Sequence, residues 1–402
     1  MTNTTSSPRW AQRVNDNAVP FGSGELSPLS MMYGMPDPAL FPADELVKAT
    51  ARALQNQAAV TDALQYGLIQ GQPDLISMLI NKLDHDECLK VSPSNLLITN
   101  GSAAAIGLAT RIFIEEGDTI LIEAPSFPGA TTIFRRAGAC LVQIEVGPRG
   151  IDIPSAERTV ADLQARGIQP RMLYTMPTFH NPTGLTLPLE HRQALLDLAS
   201  RYDLIVLEDD AYRDLYYDAQ SGPLPPSLYS LDTGGRVIRT GTFSKILAPG
   251  MRLGWVLAPP DAVRKMMLLK DEGGTSPFAQ QAAVEYAKDG TLTSHIDTLV
   301  EAYRAKRDTM LSAIKRYFPT EAQWTRPSGG FFVWVTLPPS VEPARLLTLA
   351  REEGVDYIPG ENCFEGQPPT PGTYLRLSYS TLSLGDIEEA VKRLAKAICA
   401  AM

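Results

Sequence analysis

One stretch of the sequence, GTFSKILAPGMRLGW at residues 241–255, combines two cations with residues that are otherwise apolar, small or hydroxyl-bearing. Lys and Arg are seldom buried without a partner, so the simplest interpretation of Lys245 and Arg252 is two surface charges. A lysine in apolar surroundings, however, loses proton affinity and becomes a usable amine nucleophile. The hydroxyls of Thr242 and Ser244, together with the Arg252 guanidinium, would suit a phosphate group. An amine beside a phosphate-binding site indicates a phosphorylated carbonyl cofactor.

The elements that must position these groups alternate between short apolar runs and amphipathic helical stretches such as residues 189–202. This alternation is typical of an open, mostly parallel α/β sheet. Seven strands are predicted, at residues 96–99, 119–123, 140–146, 171–175, 204–208, 237–241 and 253–258. In such sheets ligands lie at the carboxyl ends of the strands, so chemistry is expected just after each run.

The chain divides by composition into three parts. Residues 1–42 are rich in Ser, Pro, Gly and Asn and predict an extended arm that packs with a small domain. Residues 43–285 predict the large α/β domain. Residues 286–402 predict a small α+β domain. It has a helix at 291–317, strands at 331–337 and 374–379, a further helix between the two strands, and a last helix from Leu384.

Two strand ends offer an anion site and an aromatic face. The run 96–99 is followed by Gly101 and Ser102 at the start of a helix, where free N–H groups and the helix dipole attract an anion. Ser102 alone is better explained as a simple N-cap. The run 119–123 leads to Phe127, which by itself is explained as a core residue.

Two further strand ends carry amide, carboxylate and phenol groups. Asn181 lies in an Asn-Pro-Thr-Gly turn, where an Asx turn is a sufficient explanation for it alone. Asp209, Asp210 and Tyr212 follow the run 204–208. The two adjacent acids could also be a metal site or a helix start, but no partner ligands at a suitable spacing support a metal.

Each of these features has a structural explanation by itself, but the whole set at successive strand ends matches one cofactor. Pyridoxal 5'-phosphate requires a lysine for a Schiff base, a carboxylate at the pyridine nitrogen and donors to the ring oxygen. It also requires an aromatic face and a phosphate cup. The sequence therefore predicts a pyridoxal-phosphate site.

Composition excludes several other classes. The 402 residues are 44% hydrophobic and 20% charged, with a formal net charge of −9 and no cluster of Lys and Arg, which argues against a nucleic-acid partner. The four cysteines are far apart, as expected neither for a zinc site nor for a disulfide framework, and suit a reducing compartment. No signal peptide or membrane-spanning run is apparent. We therefore expect a cytoplasmic protein.

From about Pro36 to the C-terminus, the chain resembles the fold-type I pyridoxal-phosphate enzymes, specifically class I/II aminotransferases near the 2-aminoadipate and kynurenine branch. The motifs that carry the resemblance are NPTG (181–184), EDDAY (208–212), SKILAPGMRLGW (244–255), PSGGFFVW (327–334) and RLSYS (376–380). The resemblance implies the fold-type I architecture, a mostly parallel seven-stranded sheet in a large domain with a smaller α+β domain.

The resemblance also implies catalytic roles for four residues. Lys245 would form the Schiff base and then move the proton between the substrate Cα and the cofactor. Asp209 would pair with the pyridine nitrogen. Asn181 and Tyr212 would donate to the ring oxygen.

The remaining implied residues bind the cofactor phosphate, its ring and the substrate. The implied phosphate ligands are Gly101, Ser102, Ala103, Thr242, Ser244 and Arg252. Phe127 would stack on the ring. Arg376 would bind the substrate α-carboxylate, with Gly34, Asn181 and Tyr33 beside it. Tyr66, in the Gln-Tyr-Gly motif, would reach the phosphate site of a neighbouring subunit, which implies a homodimer with shared active sites.

The chain departs from the family pattern at five positions around the pocket. Phe127 replaces the usual Tyr, Ala103 and Ala104 replace common glutamines, Tyr33 stands where many relatives have Gly, and His180 where many have Gln. His180 is explained equally well as a satisfied loop histidine or as a catalytic one.

The predicted function is transfer of the amino group of an L-amino acid to a 2-oxo acid, with 2-oxoglutarate expected as the acceptor. Two alternatives stay open. One is an enzyme of the same fold that performs β- or γ-elimination, replacement or decarboxylation in specialised metabolism. The other is a non-catalytic sensor that binds pyridoxal phosphate.

Overall fold

The computed structural model describes residues 26–402, so residues 1–25 of the predicted arm lie outside the described residues. The strands of the described part are β1 (Leu29–Ser30), β2 (Leu96–Thr99), β3 (Thr119–Ala124), β4 (Cys140–Gly147), β5 (Gly150–Ile151), β6 (Met172–Thr175), β7 (Ile205–Asp209), β8 (Val237–Thr242), β9 (Gly254–Leu257), β10 (Gln323–Trp324), β11 (Phe332–Leu337), β12 (Val355–Asp356), β13 (Ile358–Pro359) and β14 (Thr373–Ser378).

The helices of the described part are α1 (Ala43–Ala53), α2 (Gln57–Leu64), α3 (Pro73–Glu87), α4 (Ser102–Phe113), α5 (Pro128–Arg136), α6 (Ile153–Ala165), α7 (Leu189–Arg201), α8 (Leu228–Leu231), α9 (Pro260–Leu268), α10 (Pro277–Ala287), α11 (Thr291–Tyr317), α12 (Pro343–Glu352) and α13 (Leu384–Ala401). Within residues 26–402, no helix combines the length and apolarity that crossing a membrane requires.

The large sheet contains the seven predicted strands, in the order β2-β9-β8-β7-β6-β3-β4, and an eighth strand, β5, at its edge. The pairs formed by β8, β7, β6, β3 and β4 are parallel, whereas β9 runs antiparallel to both of its neighbours. The sequence does not predict β5, because this two-residue strand is too short to carry a hydrophobic period and pairs only with the end of β4.

Apart from its edge strands β4 and β5, the large sheet is buried on both faces, which explains why its other strands appear in the sequence as continuous apolar runs. In β3, for example, Ile120 and Ile122 pack into one hydrophobic cluster, while Leu121 packs into a second cluster on the opposite face. This alternation follows from the two-residue period of a strand.

The C-terminal part contains an antiparallel sheet in the order β10-β11-β14-β13. Helix α11 and the start of α13 coincide with the predicted elements, and β11 and β14 match the predicted strands to within one residue. In the described part of the predicted arm, β1 pairs in parallel with β12 through Leu29 and Val355. The domain limits at residues 42 and 285 stay predictions.

Candidate active site

The carboxyl edge of the large sheet gathers most of the predicted site residues. β7 ends at Asp209 and β8 ends at Thr242. Because β9 runs in the opposite direction, its first residue, Gly254, pairs with both Thr99 and Thr242. The reversal places Arg252, which comes just before β9, at the same edge as the start of α4.

Lys245 follows β8 and lies partly exposed at this edge. Its Nζ donates to the carbonyl oxygen of Gly34 at 2.9 Å and lies 5.8 Å from the centre of the Tyr212 ring. Desolvation lowers the pKa of Lys245 to about 8, although the nearby Asp209 carboxylate acts in the opposite direction. An amine with this pKa is partly unprotonated near neutral pH, as a nucleophile or base requires.

Asp209 is 2% exposed and accepts two hydrogen bonds from side chains that the sequence analysis missed. The Tyr174 hydroxyl donates to Oδ2 at 2.8 Å, and the Thr240 hydroxyl donates to Oδ1 at 3.3 Å. Burial raises the pKa of Asp209 to about 6, and both hydrogen bonds oppose this rise. Tyr174 and Thr240 lie inside buried strands, where both residue types are ordinary and give no functional signal.

Tyr212 lies buried between two aromatic rings of the C-terminal part. Its ring meets Phe331 and Phe332 edge-on, with centroid distances of 5.4 and 5.9 Å. Burial raises the pKa of Tyr212 well above its usual value, so its hydroxyl stays protonated and remains able to donate.

The start of α4 provides an open anion site. Helix α4 begins at Ser102 with Gly101 as its N-cap, and no side chain caps it, so the amides of its first turn are available to an anion. Gly101 has a φ of +81°, and a Cβ there would lie 2.9 Å from Nη2 of Arg252. The guanidinium therefore stands directly beside the helix start. Ala103 lies exposed in the same first turn.

Thr242 and Ser244 join this anion site through Gly254. The Thr242 hydroxyl donates to Oγ of Ser244 at 2.9 Å and accepts from the Ser244 amide at 3.0 Å. A Cβ on Gly254, the pairing partner of Thr242, would lie 2.5 Å from the carbonyl carbon of Gly101. Any side chain at Gly254 would thus displace the start of α4, so glycine is required for the close approach.

Arg376 on β14 is buried beside Asn181. Its Nη1 donates to Oδ1 of Asn181 at 3.0 Å, its Nη2 donates to the carbonyl oxygen of Met32 at 2.7 Å, and its Cζ lies 4.5 Å from the centre of the Phe332 ring. Within residues 26–402, its buried Nε has no hydrogen-bond partner. A carboxylate ligand would satisfy this donor, because guanidinium groups bind carboxylates through paired hydrogen bonds.

Residues of the predicted arm form one wall of the site. A Cβ on Gly34 would lie 2.3 Å from Cζ of Phe332, so the arm approaches the site only with glycine at this position. Tyr33 is half-buried and close enough to Arg376 to influence the pKa of the guanidinium. The structure thus places Tyr33 and Gly34 beside the predicted substrate arginine.

Phe127 and Tyr66 occupy very different surroundings. Phe127 lies half-buried at the N-cap of α5, close after the end of β3. Tyr66 is 99% exposed, so the structure does not bring it into the pocket of its own chain.

His180 is buried in the loop after β6 and lies beside Glu123 of β3. It is 3% exposed, and its Nδ1 lies 2.7 Å from Oγ1 of Thr183. Its Nε2 lies 3.1 Å from Oε2 of Glu123, but not in the direction of a full hydrogen bond. Glu123 is itself buried and accepts hydrogen bonds from the Thr175 hydroxyl and the Met176 amide, both at 2.9 Å. His180 is therefore a loop residue paired with a buried carboxylate.

The adjacent acids at the end of β7 have different surroundings. Asp209 faces the hydroxyls described above, whereas Oδ2 of Asp210 lies 2.8 Å from Nη2 of Arg239. In the part of the chain that the structure describes, no group of three or more His, Cys, Asp or Glu side chains is arranged to hold a metal.

Comparisons with known proteins place this geometry in context. The family model described as aminotransferase class I and II matches residues 37–394. Aromatic-amino-acid aminotransferase 1 of Thermococcus litoralis is 37% identical over 372 residues, which cover 92% of this chain and 88% of that protein.

Two solved structures are similar over almost the whole chain. Pyrococcus horikoshii kynurenine aminotransferase in complex with PMP has a TM-score of 0.87 and 35% identity, covering 92% of this chain and 91% of that one. The alpha-aminoadipate aminotransferase of Thermus thermophilus, complexed with N-(5'-phosphopyridoxyl)-L-leucine, has a TM-score of 0.84 and 36% identity, covering 93% and 92%.

Proposed function

The chain belongs to the class I and II aminotransferases, pyridoxal-phosphate enzymes that move an amino group from an amino acid to a 2-oxo acid, and we propose that Lys245 is its catalytic amine. The observation that carries this assignment is the position of its Nζ. The amine lies at the carboxyl edge of the sheet, with a pKa lowered to about 8 by burial, within electrostatic reach of Asp209 and Arg376.

The residues at this edge fit pyridoxal phosphate. The uncapped start of α4, the close approach at Gly254 and the guanidinium of Arg252 form a cradle for a phosphate. The rest of this cradle is formed by the start of α4 and by the hydroxyls that follow β8, at Gly101, Ser102, Ala103, Thr242 and Ser244. When bound, the cofactor carries the amino group and withdraws electrons from the substrate Cα.

Three side chains would hold and orient the cofactor ring. Asp209 would keep a proton on the pyridine nitrogen, because a buried carboxylate stabilises a cation beside it. Since an arginine only donates, the Asn181 oxygen must face Arg376, which leaves the Asn181 amide N–H groups to donate to the ring oxygen. Tyr212 would be the second donor to that oxygen, and Phe127 would supply the aromatic face.

Lys245 and Arg376 would act on the substrate itself. Arg376 would bind the α-carboxylate through its unpartnered Nε and an Nη group, with Tyr33 and the arm residue Gly34 beside it. Lys245 Nζ would then take the proton from the substrate Cα and deliver it to the cofactor. A fixed carboxylate keeps that proton within reach of the amine.

We also propose that the enzyme is a homodimer with shared active sites. Tyr66 is 99% exposed, and three apolar side chains near it, Leu64, Leu68 and Ile69, are also 44–63% exposed. Such a patch on the surface of one chain is typical of an interaction site. Tyr66 would then reach the phosphate cradle of the partner.

The four cysteines are unpaired, which supports a reducing, cytoplasmic location.

The test is a two-substrate assay of the purified protein with pyridoxal phosphate. A panel of amino-acid donors, including the aromatic amino acids and 2-aminoadipate on which relatives act, is combined with 2-oxoglutarate. Transamination predicts one glutamate for each 2-oxo acid formed, and Lys245→Ala should abolish both. Release of ammonia without glutamate would instead support the elimination alternative, and cofactor binding without any turnover would support the sensor.

A further inference from the structure

The Asp209 carboxylate is held by two hydroxyls that no part of the proposed mechanism uses. The Tyr174 hydroxyl donates to one oxygen at 2.8 Å and the Thr240 hydroxyl donates to the other at 3.3 Å. A carboxylate accepts on both oxygens, whereas a protonated acid turns one of them into a donor. Two hydroxyl donors on two different oxygens therefore favour the charged form. An ionised carboxylate has further lone pairs, so a third donor still has room to bind.

The Tyr174 hydroxyl can donate its hydrogen bond to Asp209 at every pH at which the enzyme would work. It is fully buried, and the ring of Phe134 packs edge-on against it at a centroid distance of 5.2 Å. Burial, reinforced by the nearby carboxylates of Asp209 and Glu123, raises the pKa of Tyr174 well above its usual value. The phenol consequently stays protonated.

The other charged groups around Asp209 partly cancel one another. Asp210, its neighbour in the chain, disfavours the charged form of Asp209, and Lys245 favours it. Asp210 is contacted in turn by Arg239 at 2.8 Å. The hydrogen bonds from Tyr174 and Thr240, together with the attraction of Lys245, thus oppose the cost of burying the Asp209 charge.

We propose that Tyr174 is a positioning residue, assisted by Thr240, that holds Asp209 as an oriented, ionised carboxylate for the pyridine nitrogen of the cofactor. This inference rests on the proposed function, because it assigns Asp209 to that nitrogen. Tyr174 would act through Asp209, because its hydroxyl donates to that carboxylate. Loss of the hydroxyl should therefore weaken cofactor binding in a pH-dependent way.

The test is the affinity of the apoprotein for pyridoxal 5'-phosphate between pH 5 and 9, in the wild type and in Tyr174→Phe. Wild-type affinity should fall as Asp209 becomes protonated, around its pKa of about 6. Tyr174→Phe should move this fall upward by about one pH unit, because one pKa unit is a tenfold change. Binding should then weaken about twofold at pH 7 and about tenfold at pH 5, where Asp209 is mostly protonated in both proteins. Thr240→Val should shift the profile in the same direction but less, since its bond is longer.

Tyr217→Phe is the matched control. Tyr217 is also fully buried and donates to a carbonyl, that of Gly330, so its replacement removes a phenol hydrogen bond away from Asp209. This variant should leave the pH profile in place. The thermal stabilities of both Phe variants report folding, and Thr240→Val carries the test if Tyr174→Phe does not fold.

An unshifted profile, with an affinity at pH 5 within twofold of the wild type in Tyr174→Phe, would overturn the inference. An equal shift in Tyr217→Phe would also overturn it, because the effect would then be general loss of packing. If the wild type transfers amino groups while Tyr174→Phe is unchanged, this inference alone fails. If the wild type binds the cofactor with the expected profile but transfers no amino group, the proposed function fails and the role of Tyr174 in cofactor binding stands.

Discussion

Replacement of His180 by Leu should destabilise the protein because it puts an apolar side chain in place of the imidazole that faces the buried Glu123 carboxylate. Glu123 is 3% exposed, and within residues 26–402 His180 is the one basic side chain within 4.0 Å of its oxygens. Removal of a polar group that faces a buried polar atom costs about 1–3 kcal/mol, and more where that atom belongs to a carboxylate, so the cost of His180→Leu should be about 3 kcal/mol. His180→Gln keeps a polar donor near Glu123, so its cost should be smaller, about 1–2 kcal/mol.

These free energies convert into measurable shifts in Tm. An unfolding entropy of about 2.1 cal/mol/K per residue gives about 0.84 kcal/mol/K for 402 residues. A loss of about 3 kcal/mol in His180→Leu thus corresponds to about 4 °C, and the loss in His180→Gln to about 1–2 °C. The assay is thermal unfolding of the apoprotein at neutral pH, so that cofactor binding does not contribute.

The pairing with Glu123 is tested by a double-mutant cycle. In the Glu123→Gln background the cost of His180→Leu should fall by more than about 1 kcal/mol, because a buried amide loses less than a buried carboxylate when a polar neighbour is removed. His85, which is exposed near the end of α3, provides a control: His85→Leu should change stability by less than about 0.5 kcal/mol. A Tm for His180→Leu within 1 °C of the wild type, or an equal loss in both backgrounds, would refute the reasoning.

Three further predictions concern the site. Burial lowers the pKa of Lys245 from 10.5 to about 8, so unfolding takes up a proton between these pH values and apoprotein stability should rise with pH there. Lys245→Met should flatten that rise in thermal unfolding; an unchanged slope would contradict the assignment. Gly34→Ala places a Cβ 2.3 Å from Phe332, so KM for the amino acid should increase at least tenfold while cofactor affinity changes little. Arg376→Lys, which loses the paired donors, should raise KM about 10- to 100-fold without altering cofactor affinity, and an effect confined to kcat would argue against carboxylate binding.

The large sheet, and the position of several candidate residues at its carboxyl edge, were predictable because their sequence signals are local. Each buried strand gives an apolar run, and a polar residue directly after a run, such as Asp209, stands out against it. Asn181 was predictable for the same reason, since a turn of Asn, Pro and Gly interrupts the pattern. Arg376 lies inside a strand, where its interpretation depended on the family resemblance.

Other parts of the site were not predictable because their signal is a contact between distant residues. Tyr174 and Thr240 belong to buried strands, and only the register of β6, β7 and β8 brings their hydroxyls to Asp209. His180 was visible as a departure, yet its role depends on Glu123, which is 57 residues earlier in the chain. The short strands β1, β5, β12 and β13 depend on pairing partners rather than on their own residues.

The arm explains how the two cations of the site stay available to ligands. Lys245 donates to the Gly34 carbonyl and Arg376 donates to the Met32 carbonyl, so one short segment holds both side chains. Neutral carbonyls orient a cation without neutralising it, whereas carboxylate partners would form stronger, charge-assisted bonds. A carboxylate beside Lys245 would also raise its pKa and remove the free amine that catalysis needs. The segment therefore orients both side chains while both remain able to interact with the cofactor and the substrate.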